Sequence, residues 1–296
     1  SKKNNLNIMK KNVLVTGGSG FIGSHVVDAL VKKKYKVTVF DINRPKRKDV
    51  KFIKGNILNK SIVTSALKNI NIIFHLAAAS DITQVKKIPL KTVKTNILGT
   101  TYLLEGARNA NIDKFIFASS IYSYGTAGNL YTTSKISSEQ IIKNYNLIYG
   151  QKFVILRYAT AYGPRNREVD AVSIFLKRAL KNSNLIIHGN GKQKRNYIYT
   201  DDLGLGSLFA LKKIATNKIV TLVPKRSIKI IDLAKMIIRI TNSKSKIILN
   251  KKKKRFDDFS SIFSYKNISE KNLIIWRPKL TLESGLKKFI ESRKNN

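Results

Sequence analysis

Short apolar runs separated by helical patterns limit the fold of this 296-residue sequence more than any other feature. The runs are continuous, as is typical of strands covered on both faces of a parallel sheet, and they lie at 13–16, 37–40, 72–76, 115–118 and 153–156. Apolar residues at helical spacing separate them at about 21–33, 61–69, 91–110 and 134–149. The alternation predicts an α/β fold built from βαβ units around a parallel sheet.

The charge of the chain is strongly positive, with 57 Lys and Arg against 17 Asp and Glu and a net charge of +40. Such a charge is typical of proteins that bind polyanions. A compositional bias is the competing interpretation, because 44 Lys accompany only 13 Arg, together with 39 Ile and 27 Asn. The lysines are spread along the chain, so we favour the bias and do not expect nucleic acid as a partner.

Cysteine is absent and each of the three histidines stands alone, which excludes disulfides and thiolate metal sites and argues against any metal centre. No apolar stretch reaches the roughly 20 residues that a membrane span needs. The apolar run after the charged N-terminus stops at Thr16 and Gly17, too early for a signal-peptide core. The sequence therefore predicts a cytoplasmic protein without a membrane partner, with flexible tails at 1–11 and 292–296.

A glycine-rich loop, Thr16–Gly23 (TGGSGFIG), connects the first strand to the first helix. Gly17 permits a tight turn, Gly20 lets backbone amides approach a pyrophosphate, and Gly23 allows close packing of helix and strand. Asp41 closes the second strand 18 positions after Gly23, where an acidic side chain binds an adenosine ribose. The pattern predicts a dinucleotide site.

The acidic Asp41 favours NAD over NADP, because a carboxylate repels a 2′-phosphate. NADP stays open at this point, since the nearby Arg44, Lys46 and Arg47 are able to pair with a phosphate.

Further motifs follow the glycine loop in a fixed order: Gly55-Asn56-Ile57, His75-Leu76-Ala77-Ala78, Asn96, Ser119-Ser120, Tyr131-x-x-x-Lys135, Arg157–Arg165 (RYATAYGPR) and Arg195–Leu203 (RNYIYTDDL). Together they resemble the extended short-chain dehydrogenase/reductases of the NAD-dependent sugar-nucleotide epimerase/dehydratase family, in particular the UDP-glucose 4-epimerase-like members. The resemblance implies a Rossmann-type doubly wound parallel sheet with a smaller C-terminal α/β substrate lobe. It places the NAD-binding domain at 12–165, rejoined by about 196–222, and the lobe at 166–195 and 223–290.

The resemblance also assigns the site residues. The catalytic group is Ser120, Tyr131 and Lys135, and the substrate contacts are Ser120, Thr160, Arg195 and Arg255. The implied cofactor contacts are Gly17, Gly20, Phe21, Ile22, Gly23, Asp41, Asn56, Ile57, Leu76, Ala77, Ala78, Asn96, Ser119, Tyr131, Lys135 and Tyr158.

The spacing of Tyr131 and Lys135 suits proton transfer, because residues four apart lie on one helix face. A free tyrosine has a pKa of about 10. We expect the Lys135 cation, with the positive ring of oxidised NAD, to lower the pKa of the Tyr131 phenol toward the working pH of a general base.

The predicted reaction is the epimerisation of a nucleotide-sugar, most simply a UDP-sugar, at C4 through a transient 4-keto intermediate. Ile121 and Tyr122 follow Ser120 where family dehydratases resemble one another in carrying an acidic residue, so the sequence favours an epimerase or a ketoreductase over a dehydratase. A non-catalytic NAD-binding scaffold or an RNA-binding relative is the alternative of another class.

The helices at 91–110 and 134–149 resemble those that pair in family dimers, so we expect a homodimer. Six apolar residues either supply part of this contact or face the sheet: Ile97, Leu98, Leu104, Ile141, Ile142 and Leu147.

Overall fold

The computed structural model describes residues 11–125, 129–166, 168–250 and 272–294 of the chain. Within these residues, eight strands form one sheet in which every neighbouring pair is parallel. In spatial order they are β3 (Lys51–Lys54), β2 (Lys36–Asp41), β1 (Asn12–Thr16), β4 (Ile72–His75), β5 (Lys114–Ser120), β6 (Phe153–Tyr158), β11 (Lys218–Leu222) and β14 (Leu273–Trp276).

Helices cover both faces of this sheet, so the predicted doubly wound α/β fold is confirmed. One apolar core joins a sheet face to α1 (Phe21–Lys32) and α8 (Thr200–Ser207). A second core joins the other face to α2 (Lys60–Ala66), α5 (Gly99–Asn109) and α6 (Leu130–Tyr149). The middle residues of the central strands, such as 13–15 and 154–156, are apolar because both faces of these strands are buried.

The predicted helix at 91–110 is divided into three segments. It consists of α4 (Pro89–Val93), a π-helical turn at Lys94–Leu98, and α5, and it follows the short α3 (Ile82–Val85). The wider turn contains Asn96, whose amide side chain bonds to the loop that follows β4. Such π-turns are common at functional sites, and apolar periodicity alone does not reveal them.

A smaller lobe has a third apolar core. It contains the helices α7 (Ala171–Leu180), α9 (Ile230–Ile240) and α10 (Leu282–Lys294). Its strands form two-stranded pairs, β7 (Thr160–Tyr162) with β10 (Tyr197–Tyr199), β8 (Leu185–His188) with β13 (Ile247–Asn250), and β9 (Lys194–Arg195) with β12 (Ile228–Lys229).

Three details differ from the predicted boundaries. Strands β7 and β10, predicted within the NAD-binding segments 12–165 and 196–222, pair with each other and contribute tyrosines to the lobe core. Strand β14 was predicted within the lobe segment 223–290, yet it pairs with β11 at the edge of the main sheet, where Trp276 packs against the first core. Residues 292–294, predicted as part of a tail, continue α10. Of the leader predicted at 1–11, residues 1–10 lie outside the described residues, as does the end at 295–296.

Among the residues that the structure describes, no helix is both long enough and apolar enough to cross a membrane. Localisation in the cytoplasm stays a prediction from the sequence.

Candidate active site

The glycine loop forms a close contact between β1, α1 and the loop after β4. Gly17 has a φ of +70°, and a Cβ there would lie 2.6 Å from the Ala77 backbone nitrogen. A Cβ on Gly23 would collide with the Gly17 carbonyl oxygen. Both positions therefore require glycine, for backbone conformation at Gly17 and for close approach at Gly23.

The first turn of α1 offers backbone amides to an anion. Its N-cap residue, Gly20, makes no side-chain capping bond, and the turn contains no acidic residue. The first N–H groups of a helix lack partners within the helix, and the helix dipole favours negative charge at this end. The turn therefore fits the pyrophosphate of a dinucleotide.

Asp41 lies at the end of β2, beside this turn. Its Oδ2 accepts a hydrogen bond from the Ser19 backbone N–H at 3.0 Å, and its Oδ1 accepts one from the Asn43 N–H at 3.0 Å. The carboxylate is therefore fixed next to the glycine loop, where it suits the ribose contact predicted for it.

His75 ties the β4 loop to the glycine loop. Its Nδ1 lies 2.7 Å from the Thr16 hydroxyl and its Nε2 lies 2.9 Å from the Thr100 hydroxyl. Since Thr100 donates to the Asn96 carbonyl, it accepts from Nε2–H, and Nδ1 then accepts from Thr16. Burial and the nearby Lys135 lower the pKa of His75 to about 3. The ring is therefore neutral, and its role is structural, since it connects the Thr16 and Thr100 hydroxyls.

Asn96 fixes the next part of the same loop. Its Oδ1 accepts from the Ala79 N–H at 2.7 Å, and its Nδ2 donates to the Ala79 carbonyl at 3.1 Å and to the Ser134 hydroxyl at 2.9 Å. It therefore connects the predicted cofactor loop, Leu76–Ala78, to the helix that carries the catalytic residues.

The other predicted cofactor residues differ in how much of their side chains is exposed. Ile57 is 4% exposed and belongs to the second core, and Tyr158 is 4% exposed with its hydroxyl 2.8 Å from the Ser207 hydroxyl. Asn56 is exposed, and its Oδ1 accepts from the Leu58 N–H. Phe21 and Ile22 are half-buried in the first turn of α1. For Ile57 and Tyr158, only the main chain remains for the predicted cofactor contact.

The predicted catalytic residues meet at the carboxyl end of β5. Ser120 ends this strand, and its hydroxyl oxygen accepts from the Tyr122 N–H at 3.2 Å. The Lys135 ammonium donates to the Ala118 carbonyl on the same strand at 2.8 Å and lies 5.8 Å from the centre of the Tyr131 ring. The helix begins at Leu130, earlier than predicted, because Asn129 caps it by accepting from the Thr132 N–H.

The electrostatics of this group differ from the prediction. Burial raises the pKa of Tyr131 above its ordinary value, and the neighbouring Tyr122 phenol raises it further. Burial lowers the pKa of Lys135 to about 7, while the Glu139 carboxylate acts in the opposite direction. The sequence argument counted the charges around the phenol, including the cofactor's ring, but left out the loss of water on burial, which penalises the phenolate.

Glu139 and Arg157 form a buried pair that the sequence analysis did not assign to the site. The Arg157 Nε and Nη2 donate to the two Glu139 carboxylate oxygens at 3.0 and 2.6 Å, and the Ser119 hydroxyl donates to Oε1 at 2.5 Å. Ser119, predicted as a cofactor contact, is thereby committed to Glu139. The helical spacing Tyr131, Lys135, Glu139 was the available signal, since all three fall on one face.

The predicted substrate residues Thr160 and Arg195 come close together through the backbone. The Thr160 N–H donates to the carbonyl of Asn196, next to Arg195, at 2.9 Å. Arg195 is half-buried and its Nη1 donates to the Lys194 carbonyl. Arg255 lies outside the described residues.

The residues after Ser120 face different surroundings. Ile121 is 4% exposed and packs in the first core, whereas the Tyr122 phenol raises the pKa of Tyr131. Tyr162, further along the chain, is 1% exposed and packs in the lobe core. None of these side chains supplies a carboxylate beside Ser120.

A chain of ion pairs lies next to the glycine loop. Asp28 on α1 accepts from Arg47 at 2.8 Å and from Arg165 at 2.6 Å, and Arg47 also pairs with Asp49. Arg47 and Arg165 line a cavity of about 290 Å³ together with Gly18 to Gly20. Because Arg47 is engaged by two carboxylates, it is less available to a 2′-phosphate than the sequence suggested.

Comparison with known proteins identifies the family. The model of the NAD dependent epimerase/dehydratase family matches residues 13–222. A putative UDP-glucose 4-epimerase of Methanocaldococcus jannaschii is 31% identical over 96% of this chain and 99% of its own length. The human dTDP-D-glucose 4,6-dehydratase is 29% identical over 97% of this chain and 91% of its own length. The chain belongs to the NAD-dependent epimerase/dehydratase family, and NAD is its cofactor.

Solved structures agree with this assignment. The crystal structure of UDP-glucose 4-epimerase from Thermotoga maritima, determined with UDP-glucose, superposes with a TM-score of 0.86 at 30% identity and covers 96% of this chain and 99% of that one. The chain is thus an enzyme-family member with a Rossmann-type fold, and its relatives include both epimerases and dehydratases.

Proposed function

We propose that the chain is an NAD-dependent UDP-sugar 4-epimerase. The observation that carries the proposal is the meeting of Ser120, Tyr131 and Lys135 at the carboxyl end of β5, next to the glycine cradle at the end of β1. Ligands of open parallel sheets bind at this edge of the strands. We further propose that the lobe around Thr160 and Arg195 holds the nucleotide-sugar.

The chain's own residues would transfer one proton. The Tyr131 phenolate takes the proton of the sugar C4 hydroxyl, Ser120 orients the same oxygen, and the Lys135 ammonium stabilises the phenolate. When bound, NAD would supply the acceptor for the C4 hydride and the source from which that hydride returns. As the C4–O bond becomes a carbonyl, the sugar is oxidised to a 4-keto sugar. Return of hydride and proton to the other face of C4 gives the epimer.

The surroundings of Ser120 favour epimerisation over dehydration. Loss of water from the sugar requires a further acid and base beside the keto sugar. The adjacent Ile121 is buried in the core, and Tyr122 has a phenol in place of a carboxyl. Because the relatives include dehydratases, dehydration is one of the outcomes that the test distinguishes.

The test is turnover with UDP-glucose, UDP-N-acetylglucosamine and UDP-glucuronate in the presence of NAD, with products separated by chromatography. We expect the C4 epimer of at least one sugar. Tyr131→Phe should abolish conversion and still bind NAD, since the change removes only a hydroxyl. A 4-keto-6-deoxy product would identify a dehydratase, and no turnover on any sugar would overturn the proposal.

We also propose a homodimer, formed through α4, the π-turn and α6. Exposed apolar side chains lie on this surface, with Leu147 83% exposed and Leu98 40% exposed. Of the residues predicted either to take part or to face the sheet, Leu104 and Ile142 are fully buried in the second core and therefore face the sheet.

Leu147→Ser should weaken this dimer, measured by light scattering coupled to size exclusion. Leu205→Ser, on α8, is the matched control, since Leu205 is 44% exposed away from this surface. Association should strengthen with salt, because two copies at +40 repel each other. A monomer at every salt concentration would contradict the proposal.

A further inference from the structure

One face of α6 carries three ionisable residues, Tyr131, Lys135 and Glu139, each one turn from the next. Lys135 is 3% exposed and Glu139 is 2% exposed. Charged side chains are almost never buried this deeply without partners. The arrangement therefore raises the question of what the buried carboxylate does there, since the proposed proton transfer does not use it.

The Glu139 carboxyl group is held in place by hydrogen bonds. Its oxygens accept from Arg157 twice, at 3.0 and 2.6 Å, and from the Ser119 hydroxyl. Ser119 and Arg157 are register partners on β5 and β6, so the sheet itself sets the position of both donors. The Arg157 guanidinium also lies 4.2 Å from the centre of the Tyr124 ring. Little freedom remains for the carboxylate.

Stability alone is a weak reason to keep such a pair. Removing two charges from water is costly, and well-packed apolar residues often serve a core equally well or better. Lys135 supplies another reason, because its ammonium donates to the neutral Ala118 carbonyl, which does not balance its charge. Burial lowers the pKa of Lys135 to about 7, and Glu139 is the group that raises it.

The other groups around Lys135 do not replace Glu139. From β4, His75 is neutral, and from the turn after β5, Tyr122 carries a phenol. Arg157, on β6, is a cation beyond Glu139. On α6, Lys143 lies one turn past Glu139.

The cations of α4 and the π-turn, Lys91 and Lys94, are exposed. The groups that face Lys135 from these elements are therefore neutral or positive, apart from Glu139.

We propose that Glu139, held in place by Arg157 and Ser119, is a positioning residue that keeps Lys135 protonated beside Tyr131. The consequence of this role for catalysis rests on the proposed function: when the chain turns over a UDP-sugar, Glu139 sets the upper pH limit of turnover. Glu139 touches neither the phenol nor the cofactor cradle in this account; it acts through Lys135.

The test measures the protonation of Lys135 directly, by NMR titration of protein labelled at the lysine side chains and loaded with NAD. The Lys135 signal is the one missing from the Lys135→Arg variant. We expect its midpoint to fall by about one pH unit in Glu139→Gln, where the carboxylate is lost and Arg157 is left uncompensated. Glu105→Gln, which removes a partly exposed carboxylate on α5, is the matched control and should leave the midpoint in place.

The double variant Glu139→Gln with Arg157→Gln keeps the test decisive if the single variant does not fold. It removes the guanidinium together with its carboxylate, so it should fold. Its midpoint should fall by about half a pH unit, between the native protein and Glu139→Gln. An unchanged midpoint in the double variant would overturn the proposal.

Turnover separates this inference from the proposed function. If the chain epimerises a UDP-sugar as proposed, the basic limb of its pH–rate profile should move with the Lys135 midpoint. Shifted midpoints without any turnover would support the role of Glu139 and refute the proposed reaction. Turnover with a basic limb that does not move in the double variant would refute the role of Glu139 in setting the pH limit.

Discussion

Two sets of ion pairs near the cofactor cradle differ in their access to water. In the buried pair, the side chains of Arg157 and Glu139 are 5% and 2% exposed. In the rim pairs, formed by Asp28 with Arg47 and Arg165, the side chains are 31 to 36% exposed. The distances are similar, 2.6 Å for Arg157 and 2.6 to 2.8 Å at the rim. Burial, and not geometry, therefore distinguishes them.

The difference teaches what each set contributes. At the rim, water and ions screen the charges, so such pairs contribute little to stability and act mainly by joining segments. Here they join α1 to the loop after β2 and to the loop after β7. Inside the protein, an unpaired charge is costly, so the buried pair is obligatory and its field extends to Lys135.

The largest expected effect comes from breaking the buried pair. Arg157→Gln should lower the free energy of unfolding by about 3–5 kcal/mol, because it leaves Glu139 buried without its cation. Urea denaturation measures the change. The double variant with Glu139→Gln should lose much less, since both members of the ion pair are then removed together. Equal losses in the single and the double variant would mean that the pair is not coupled.

A second prediction uses the pH dependence of stability. The pKa of Lys135 is about 7 in the folded protein and about 10.4 when unfolded, so the unfolded state binds more protons between these values. The contribution of Lys135 to the free energy of unfolding therefore rises with pH, by up to about 1.4 kcal/mol per pH unit. Lys135→Met should remove the rise between about pH 7 and pH 10, measured by denaturation at several pH values. A parallel pH dependence in both proteins would contradict the shifted pKa.

Much of the fold was predictable because it depends on local patterns. Continuous apolar runs mark strands buried on two faces, and the glycine loop fixes the order of β1 and α1. The π-turn at Lys94–Leu98 was not predictable, because it depends on bonds from Asn96 to a distant loop. The position of β14 in the sheet was missed for a similar reason, since its pairing with β11 depends on tertiary contacts and not on the local sequence.

The candidate site was predictable where one motif carries the chemistry, as for Tyr131 and Lys135. Glu139 lies on the same helix and was within reach of the same spacing argument. Arg157 was not, because its role depends on the register of β6 against β5, which places it opposite Ser119. The raised pKa of Tyr131 was missed since burial cannot be derived from spacing.

The smallest expected effect is at the rim. Although burial acts to raise it, hydrogen bonds from Arg47 and Arg165 hold the pKa of Asp28 below its ordinary value. Its stabilisation is thus present above the unfolded value of about 3.9 and is lost as the pH falls through the folded value. Asp28→Asn should lower the free energy of unfolding by about 1 kcal/mol or less at neutral pH, since about a third of each side chain is in water.

The effect of Asp28→Asn should shrink further in high salt, measured by denaturation at low and high ionic strength. Salt should leave the loss in Arg157→Gln nearly unchanged, because water and ions do not reach that pair. A loss of unfolding free energy in Asp28→Asn as large as that in Arg157→Gln, and equally insensitive to salt, would show that exposure does not determine how much these ion pairs contribute to stability. Since the two sites share similar distances, such a result would leave the shared geometry as the determining factor and remove the basis for assigning Glu139 a special role.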